Sequence, residues 1–142
     1  MLNGLVERGM VKCHRYWPED VDEEIDLFDV DLKVKLLEEK EMEHFIIRKC
    51  LLTDQVSGES RQVVQFHYTA WPDFGLPESP ASFLEYLTAV SESGSLDLSN
   101  EVGPSVVHCS AGIGRSGTFC LVDSCLLLVS FSLLVHEKNV IY

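Results

Sequence analysis

A cysteine and an arginine stand six positions apart in the run from Val106 to Thr118, which reads Val-Val-His-Cys-Ser-Ala-Gly-Ile-Gly-Arg-Ser-Gly-Thr. Cys109 ends a β-branched stretch, glycines follow, and Arg115 stands among them. A loop this short can wrap one tetrahedral oxyanion, with its N–H groups turned inward and Arg115 gripping two oxygens in a bidentate fork. A helix starting at about Arg115 would aim its positive end at the same point. Such surroundings bring a cysteine down from its free value of about 8.5 into a range of roughly 3.5–7.5. These residue types at this spacing predict a nucleophile facing a phosphate.

Two other phosphate-binding readings fail. Gly112, Gly114 and Gly117 spell the G-x-G-x-x-G of a dinucleotide site, but that motif needs a close, uncharged backbone approach and an acidic residue about twenty positions on. Here Arg115 lies inside the run, Glu137 is the acidic residue near that distance, and the preceding cysteine has no use. A Walker loop is excluded because no G-K-[ST] occurs. The other cysteines, Cys13, Cys50, Cys120 and Cys125, read as small buried hydrophobes.

Cysteine attack on a phosphate monoester also needs a proton for the departing oxygen. The segment Tyr68–Pro77 supplies Asp73, in a loop marked by Pro72, Gly75 and Pro77. Trp71 and Phe74 flank it, and apolar flanks would raise its pKa and keep it protonated. Such a loop can close over substrate through its terminal hinges.

His108 to Gly117 resembles the signature of the protein tyrosine phosphatases, and Trp71-Pro72-Asp73 resembles their mobile acid loop. Within the non-receptor class, the resemblance is to the branch of the 1B and T-cell phosphatases. It runs from Met1 to about Val129, with greatest similarity in Phe66–Leu96 and Pro104–Leu128. The resemblance implies a mechanism. Cys109 would attack phosphotyrosine to form a phosphocysteine. Arg115 and the amides of Ser110, Ala111, Gly112, Ile113 and Gly114 would hold the phosphoryl oxygens. Asp73 would protonate the leaving tyrosine and then deprotonate the hydrolytic water. Ser116 matches a hydroxyl that helps the thiolate leave, and His108 a residue that supports it from beneath. Phe74 matches an aromatic that packs on the substrate ring. Glu7 and Lys12, in Glu7-Arg-Gly-Met-Val-Lys-Cys-His-Arg-Tyr-Trp-Pro18, match a glutamate that orients the arginine and a lysine that meets the acid loop. No cofactor and no metal is implied.

Composition bounds the rest. The 142 residues suffice for one domain. A net charge of −12 argues against a nucleic-acid partner, so an anionic phosphopeptide must be drawn by the local field around Arg115. Five widely spaced cysteines without a C-x-x-C pair argue for a reducing compartment and against a disulfide or zinc framework. No signal peptide opens the sequence, and the expected location is cytoplasmic. The apolar run Phe119–Val135, broken by Asp123 and three serines, reads as a buried helix behind the catalytic loop rather than a membrane span.

The elements that must position these groups follow from local pattern. Leu2–Arg8 is short and mixed, and Met10–Trp17 reads as a strand stopped by Pro18. Glu19–Asp31, with eight acidic and no basic residues, reads as a solvated loop without the spacing of a calcium site. Leu32–Leu37 alternates like an exposed strand. His44–Thr53 and Arg61–Trp71 read as further strands around a turn at Ser57-Gly58, antiparallel and leading into the acid loop. Ser79 and Pro80 start a helix with Phe83, Leu84, Leu87 and Val90 on one face, closed by Gly94. Ser95–Gly103 reads as a polar loop, Ser105–His108 as a strand and Gly114 to about Val129 as a helix. That order puts the nucleophile at the carboxyl end of a strand. The expected class is α/β, an α+β mixed sheet flanked by helices, forming part of a cysteine-dependent tyrosine phosphatase fold.

Against the family, residues 1–129 resemble a central portion of the catalytic domain, and 130–142 resemble a different ending. The tyrosine-bearing loop that selects phosphotyrosine and the glutamine loop that positions water have no counterpart here. Uncovered sheet edges and apolar surface would then lower stability and favour self-association. The function implied is hydrolysis of phosphotyrosine in proteins. The alternatives are a chain that binds phosphotyrosine without turnover and an inert form that never builds the pocket.

Overall fold

The computed structural model describes residues 1–77, 79–97 and 103–139, with backbone alone over 133–139. Its main sheet has four strands in chain order, β3 (Glu24–Leu27), β4 (Leu32–Glu41), β5 (Phe45–Asp54) and β6 (Ser60–Tyr68), each antiparallel to its neighbour. A separate hairpin pairs β1 (Val6–Glu7) with β2 (Met10–Val11). Two helices complete the described elements, α1 (Pro80–Glu92) and α2 (Arg115–Asn139). The architecture is α/β in the broad sense, with every described strand pair antiparallel.

The pleat divides β5 into two faces. Phe45 and Ile47 lie on one, with Phe66 and Tyr68 of the paired strand beside them, and α1 covers this face. Ser79 caps α1 by accepting from the Ala81 N–H at 3.2 Å, and Pro80 fills the first turn. The buried stripe is Phe83, Tyr86, Leu87 and Val90, whereas Leu84 is 43% exposed. Tyr86 thus takes the position expected of Leu84, because the spacing i, i+3, i+4, i+7 centres the face on Phe83. Tyr68, fully buried, donates to or accepts from Ser82 Oγ at 2.7 Å and packs against Trp71, Phe83 and Tyr86.

The opposite face carries Arg48, Cys50, Leu52, Gln65 and His67, and residues 1–18 cover it. A bulge leaves Leu37 unpaired between Leu36 and Glu38. Val34, Leu36 and Cys50 pack with Met1 and Trp17. Buried Arg48 lies under the Trp17 ring, 4.7 Å from its centroid, and pairs with Glu39. His67 Nε2 meets the Asn3 carbonyl at 2.9 Å, and its Nδ1 meets Arg48 NH1 at 3.2 Å. A carbonyl can only accept and a guanidinium can only donate, so the ring is held neutral with its proton on Nε2.

Several elements differ from the sequence reading. The acidic stretch 19–31 is not all loop: β3 pairs with β4, and Phe28–Val30 forms a 3-10 turn. Ion pairs from Lys33 to Glu24 and Asp26 hold that edge. The strand expected over Met10–Trp17 stops at Val11. Ser105–His108 forms no ladder among the described residues. Its described backbone bond is from Leu2 N–H to the His108 carbonyl, 3.0 Å, and Leu2 lies next to Met1, whose carbonyl accepts from Tyr68 N–H at the end of β6. Residues 98–102 of the expected polar loop lie outside the described residues.

The largest difference is α2. It was expected to be buried, yet among its described side chains Ser116 and Phe119 are buried, whereas Leu121, Leu127, Leu128 and Phe131 are mostly exposed. Cys120 and Cys125 are exposed as well, not buried. The apolar residues fall on all faces of the helix, while α1 reaches its first turns alone, through Phe83, Tyr86 and Phe119. By length and composition Arg115–Ser132 is apolar enough to cross a membrane, but its first turns are locked into the core and the cleft described below.

His67 gives this packing a pH dependence. Burial first, with the Arg48 charge added, pushes its pKa down to about 4. The unfolded chain takes up the proton near 6.5 and the folded chain does not. Stability is therefore full above about 6.5 and falls as pH drops toward 4, by on the order of 3 kcal/mol. Urea unfolding from pH 7 to 4 should show a smaller loss for His67→Gln than for the parent chain.

Candidate active site

Three segments meet at one cleft of about 340 Å³, lined by Glu7, Lys12, Asp73, Cys109, Ser110 and Arg115 among others. The first is the β1–β2 hairpin. Its two-residue turn, Arg8-Gly9, has φ +49° and +77°, the pair of left-handed residues that matches strand twist. The second is the loop after β6, and the third is the turn from His108 into α2.

The 110–114 loop reverses through Gly112 at φ +73°, a conformation that favours glycine. The reversal brings the N–H groups of Gly112, Gly114 and Ser116 toward the Cys109 sulfur. Burial alone would push this thiol up, but the Ser116 hydroxyl and those three amides outweigh it and bring the pKa down to about 7. Ser116 Oγ is buried without a conventional hydrogen-bond partner, so the sulfur is what it serves. The first helical bond, Thr118 N–H to the Gly114 carbonyl at 3.0 Å, sets the positive end of α2 beside the loop. Ile113 stands at the rim, 89% exposed.

Arg115 is held on all sides. NH1 donates to Glu7 Oε1 at 2.6 Å and to the Leu2 carbonyl at 3.1 Å. NH2 donates to Glu7 Oε2 at 2.9 Å and to the Pro72 carbonyl at 3.2 Å. The fork read from the sequence as a grip on two ligand oxygens is thus taken by Glu7. Among the described residues Nε makes no hydrogen bond, and NH2 is lent to Pro72. Glu7 is in turn bound by the Gly4 N–H at 2.9 Å. Burial works against its charge, yet Arg115 and Gly4 hold its carboxyl below the usual range.

The acid loop lies down over this arrangement. Asp73 Oδ2 is 3.2 Å from Lys12 Nζ, and Oδ1 is 3.6 Å from Arg115 NH2. The Asp73 side chain is about nine-tenths buried, and the groups its oxygens face are these two cations. Trp71 turns into the core, where its Nε1 donates to the Gly75 carbonyl at 3.1 Å. Phe74 turns outward, 74% exposed, with φ +61°. A left-handed bulky residue costs roughly 1–2 kcal/mol. Its ring faces two cations, Arg8 at 5.4 Å and Lys12 at 5.6 Å. Ser110 Oγ ties the nucleophile loop to the hairpin by donating to the Lys12 carbonyl at 2.8 Å.

Sequence reasoning missed the support behind His108. Its Nδ1 faces the Cys109 carbonyl at 3.3 Å, and its Nε2 meets Tyr16 Oη at 2.7 Å. Tyr16 also accepts from Gln65 Nε2 at 2.8 Å, and Gln65 Oε1 accepts from Arg48 NH1 at 3.0 Å. A polar chain thus runs from the sheet interior to His108, the neighbour of Cys109. Burial lowers the His108 pKa, with the Met1 amino group adding to it, which keeps the ring neutral. The signal was weak: Tyr16 and Gln65 are ordinary polar residues of a strand and a loop, and nothing in their spacing connects them to position 108. Among the described residues no cluster of His, Cys, Asp or Glu could hold a metal.

Comparison with known proteins agrees with this cleft. The family model described as Protein-tyrosine phosphatase matches residues 1–136. The chain is 53% identical over 131 residues to Tyrosine-protein phosphatase non-receptor type 61F of Drosophila melanogaster, covering 91% of this chain and 24% of that protein. It is 50% identical over 141 residues to human Tyrosine-protein phosphatase non-receptor type 2, covering 99% of this chain and 33% of that protein. A receptor-type relative, Receptor-type tyrosine-protein phosphatase S of Gallus gallus, is 39% identical over 140 residues, covering 99% of this chain and 8% of its own length. The chain therefore spans about a quarter to a third of the non-receptor relatives it matches. Similarity over this span, which includes the cysteine loop and the acid loop, makes the chain a member of the protein-tyrosine phosphatase family.

Proposed function

We propose that this chain hydrolyses phosphotyrosine in proteins through a phosphocysteine intermediate. Cys109 Sγ attacks the phosphorus as the thiolate, and the bond from phosphorus to the tyrosine oxygen breaks. Asp73 gives its proton to that oxygen. The loop amides and the Nε–NH2 edge of Arg115 hold the three remaining oxygens as charge develops on them. Water then attacks the phosphocysteine, Asp73 takes its proton, and the thiolate leaves toward the Ser116 hydroxyl. Arg115 must exchange its Pro72 bond for a phosphoryl oxygen. Asp73 must part from Lys12 in the step where it carries a proton. The observation that supports this reading is a cysteine lowered to about 7 in the same cleft as an arginine and a carboxylate.

The free cysteines and the non-receptor relatives favour a cytoplasmic setting. The apolar surface of α2, from Leu121 to Phe131, favours self-association. Sedimentation should show a concentration-dependent rise in mass, and a monomer at all concentrations would remove that statement.

The thiol can be titrated directly. Alkylation by iodoacetamide should rise with a midpoint near pH 7 for Cys109. In Ser116→Ala the midpoint should move up, because the hydroxyl favours the thiolate and burial opposes it. A midpoint at the ordinary cysteine value in the parent chain would contradict the site as described.

Turnover of an aryl phosphate by the purified chain tests the function. Cys109→Ser should abolish it, and Asp73→Asn should lower kcat by roughly 10²–10⁴-fold with little change in KM. Turnover surviving in Cys109→Ser would overturn the mechanism. Vanadate binding without turnover would make the chain a phosphotyrosine binder instead.

A further inference from the structure

The hairpin turn carries a cation that the scheme above does not use. Arg8 is exposed at the tip between two residues that face the cleft: Glu7 holds Arg115, and Lys12 holds Asp73. With both neighbours pinned, the tip has a fixed place. Among the described residues Arg8 makes no ion pair, although the chain has 23 carboxylates against 11 lysines and arginines. Its guanidinium instead lies 5.4 Å from the centre of the Phe74 ring. Phe74 follows Asp73 directly, is mostly exposed, and has a left-handed backbone. Core packing does not hold it in that conformation. Among the described residues, the ring contacts that can are the two cations, and Lys12 already serves Asp73.

We propose that Arg8 is a positioning residue that holds the acid loop closed by stacking on Phe74, and so keeps Asp73 in the cleft it shares with Cys109. This rests on the phosphatase reading for its effect on rate, but not for its effect on the loop. The attraction of a guanidinium to an aromatic face at an exposed site corresponds to a roughly two- to fivefold preference for the closed loop. Because substrate need not touch Arg8, the consequence falls on the step that needs Asp73 rather than on binding.

The test uses the full chain with Arg8→Ala, Arg8→Lys and, as a control cation elsewhere, Arg15→Ala. Two readouts are taken: kcat and KM for a small aryl phosphate, and amide hydrogen exchange at residues 73–76. Arg8→Ala should speed exchange and lower kcat by roughly two- to fivefold, with KM moving less. Arg8→Lys should retain most of the parent behaviour, and Arg15→Ala all of it. In a Phe74→Leu background, which lacks the ring face, Arg8→Ala should add nothing further. Unchanged exchange and kcat in Arg8→Ala would overturn the proposal. A rise in KM alone would also overturn it, making Arg8 a ligand-binding cation. A parent chain without turnover would remove the phosphatase reading, and exchange alone would then decide whether Arg8 holds the loop.

Discussion

The pair between Arg115 and Glu7 is the interaction on which the rest of the cleft depends. Its two parallel hydrogen bonds join the first turn of α2 to a hairpin of two-residue strands. Strands that short have no stability of their own, so the hairpin exists because it is docked. The same guanidinium reaches the carbonyls of Leu2 and Pro72, and thereby also fixes the start of the chain and the acid loop. Both partners are about nine-tenths withdrawn from solvent. Removing one member of such a pair leaves the other charge buried and costs about 3–5 kcal/mol. The arginine therefore serves first as a structural knot.

Around that knot, opposite charge preferences are set within a few residues of one another. Burial disfavours charge at Cys109 and at His108 alike. At Cys109 converging donors reverse the preference, whereas at His108 burial and the Met1 amino group outweigh the Cys109 carbonyl, which favours the charged ring. A neutral imidazole next to Cys109 adds no positive charge, so the loop amides and the Ser116 hydroxyl carry the stabilisation of the thiolate. Backbone donors are fixed in direction and need no reorganisation when charge appears.

Much of this was legible from residue type and spacing. Cys109 and Arg115 at the start of a helix, Asp73 in a Pro-Gly loop, and Ser79-Pro80 opening α1 are local signals, because turn chemistry and capping act within a few residues. The strands β4, β5 and β6 showed in their β-branched and alternating residues. What was not legible depended on partners distant in the chain. Ser105–His108 has the composition of a strand but gains no ladder, since a strand is defined by neighbours that sequence does not supply. The apolar run of α2 matched a buried helix, yet burial needs covering elements, and α1 covers its first turns alone. Tyr86 replaced Leu84 because the direction of the apolar face is decided by what it meets. The charged surroundings of Asp73 were not legible for the same reason: the cations that face it, Lys12 and Arg115, lie far from it in the sequence.

That last point bears on how the cleft comes into being. Arg115 meets Glu7 across 108 positions and Leu2 across 113, and Ser110 meets Lys12 across 98. By contrast, β4, β5 and β6 are joined by short turns and need little chain to be gathered. The entropy of closing loops that long is spent before their contacts return anything. The sheet and α1 can assemble from local pairings, while the cleft waits for the first and last thirds of the chain to find each other. The cleft is thus the part of this chain with the longest loops to close, and it depends most on distant segments staying together.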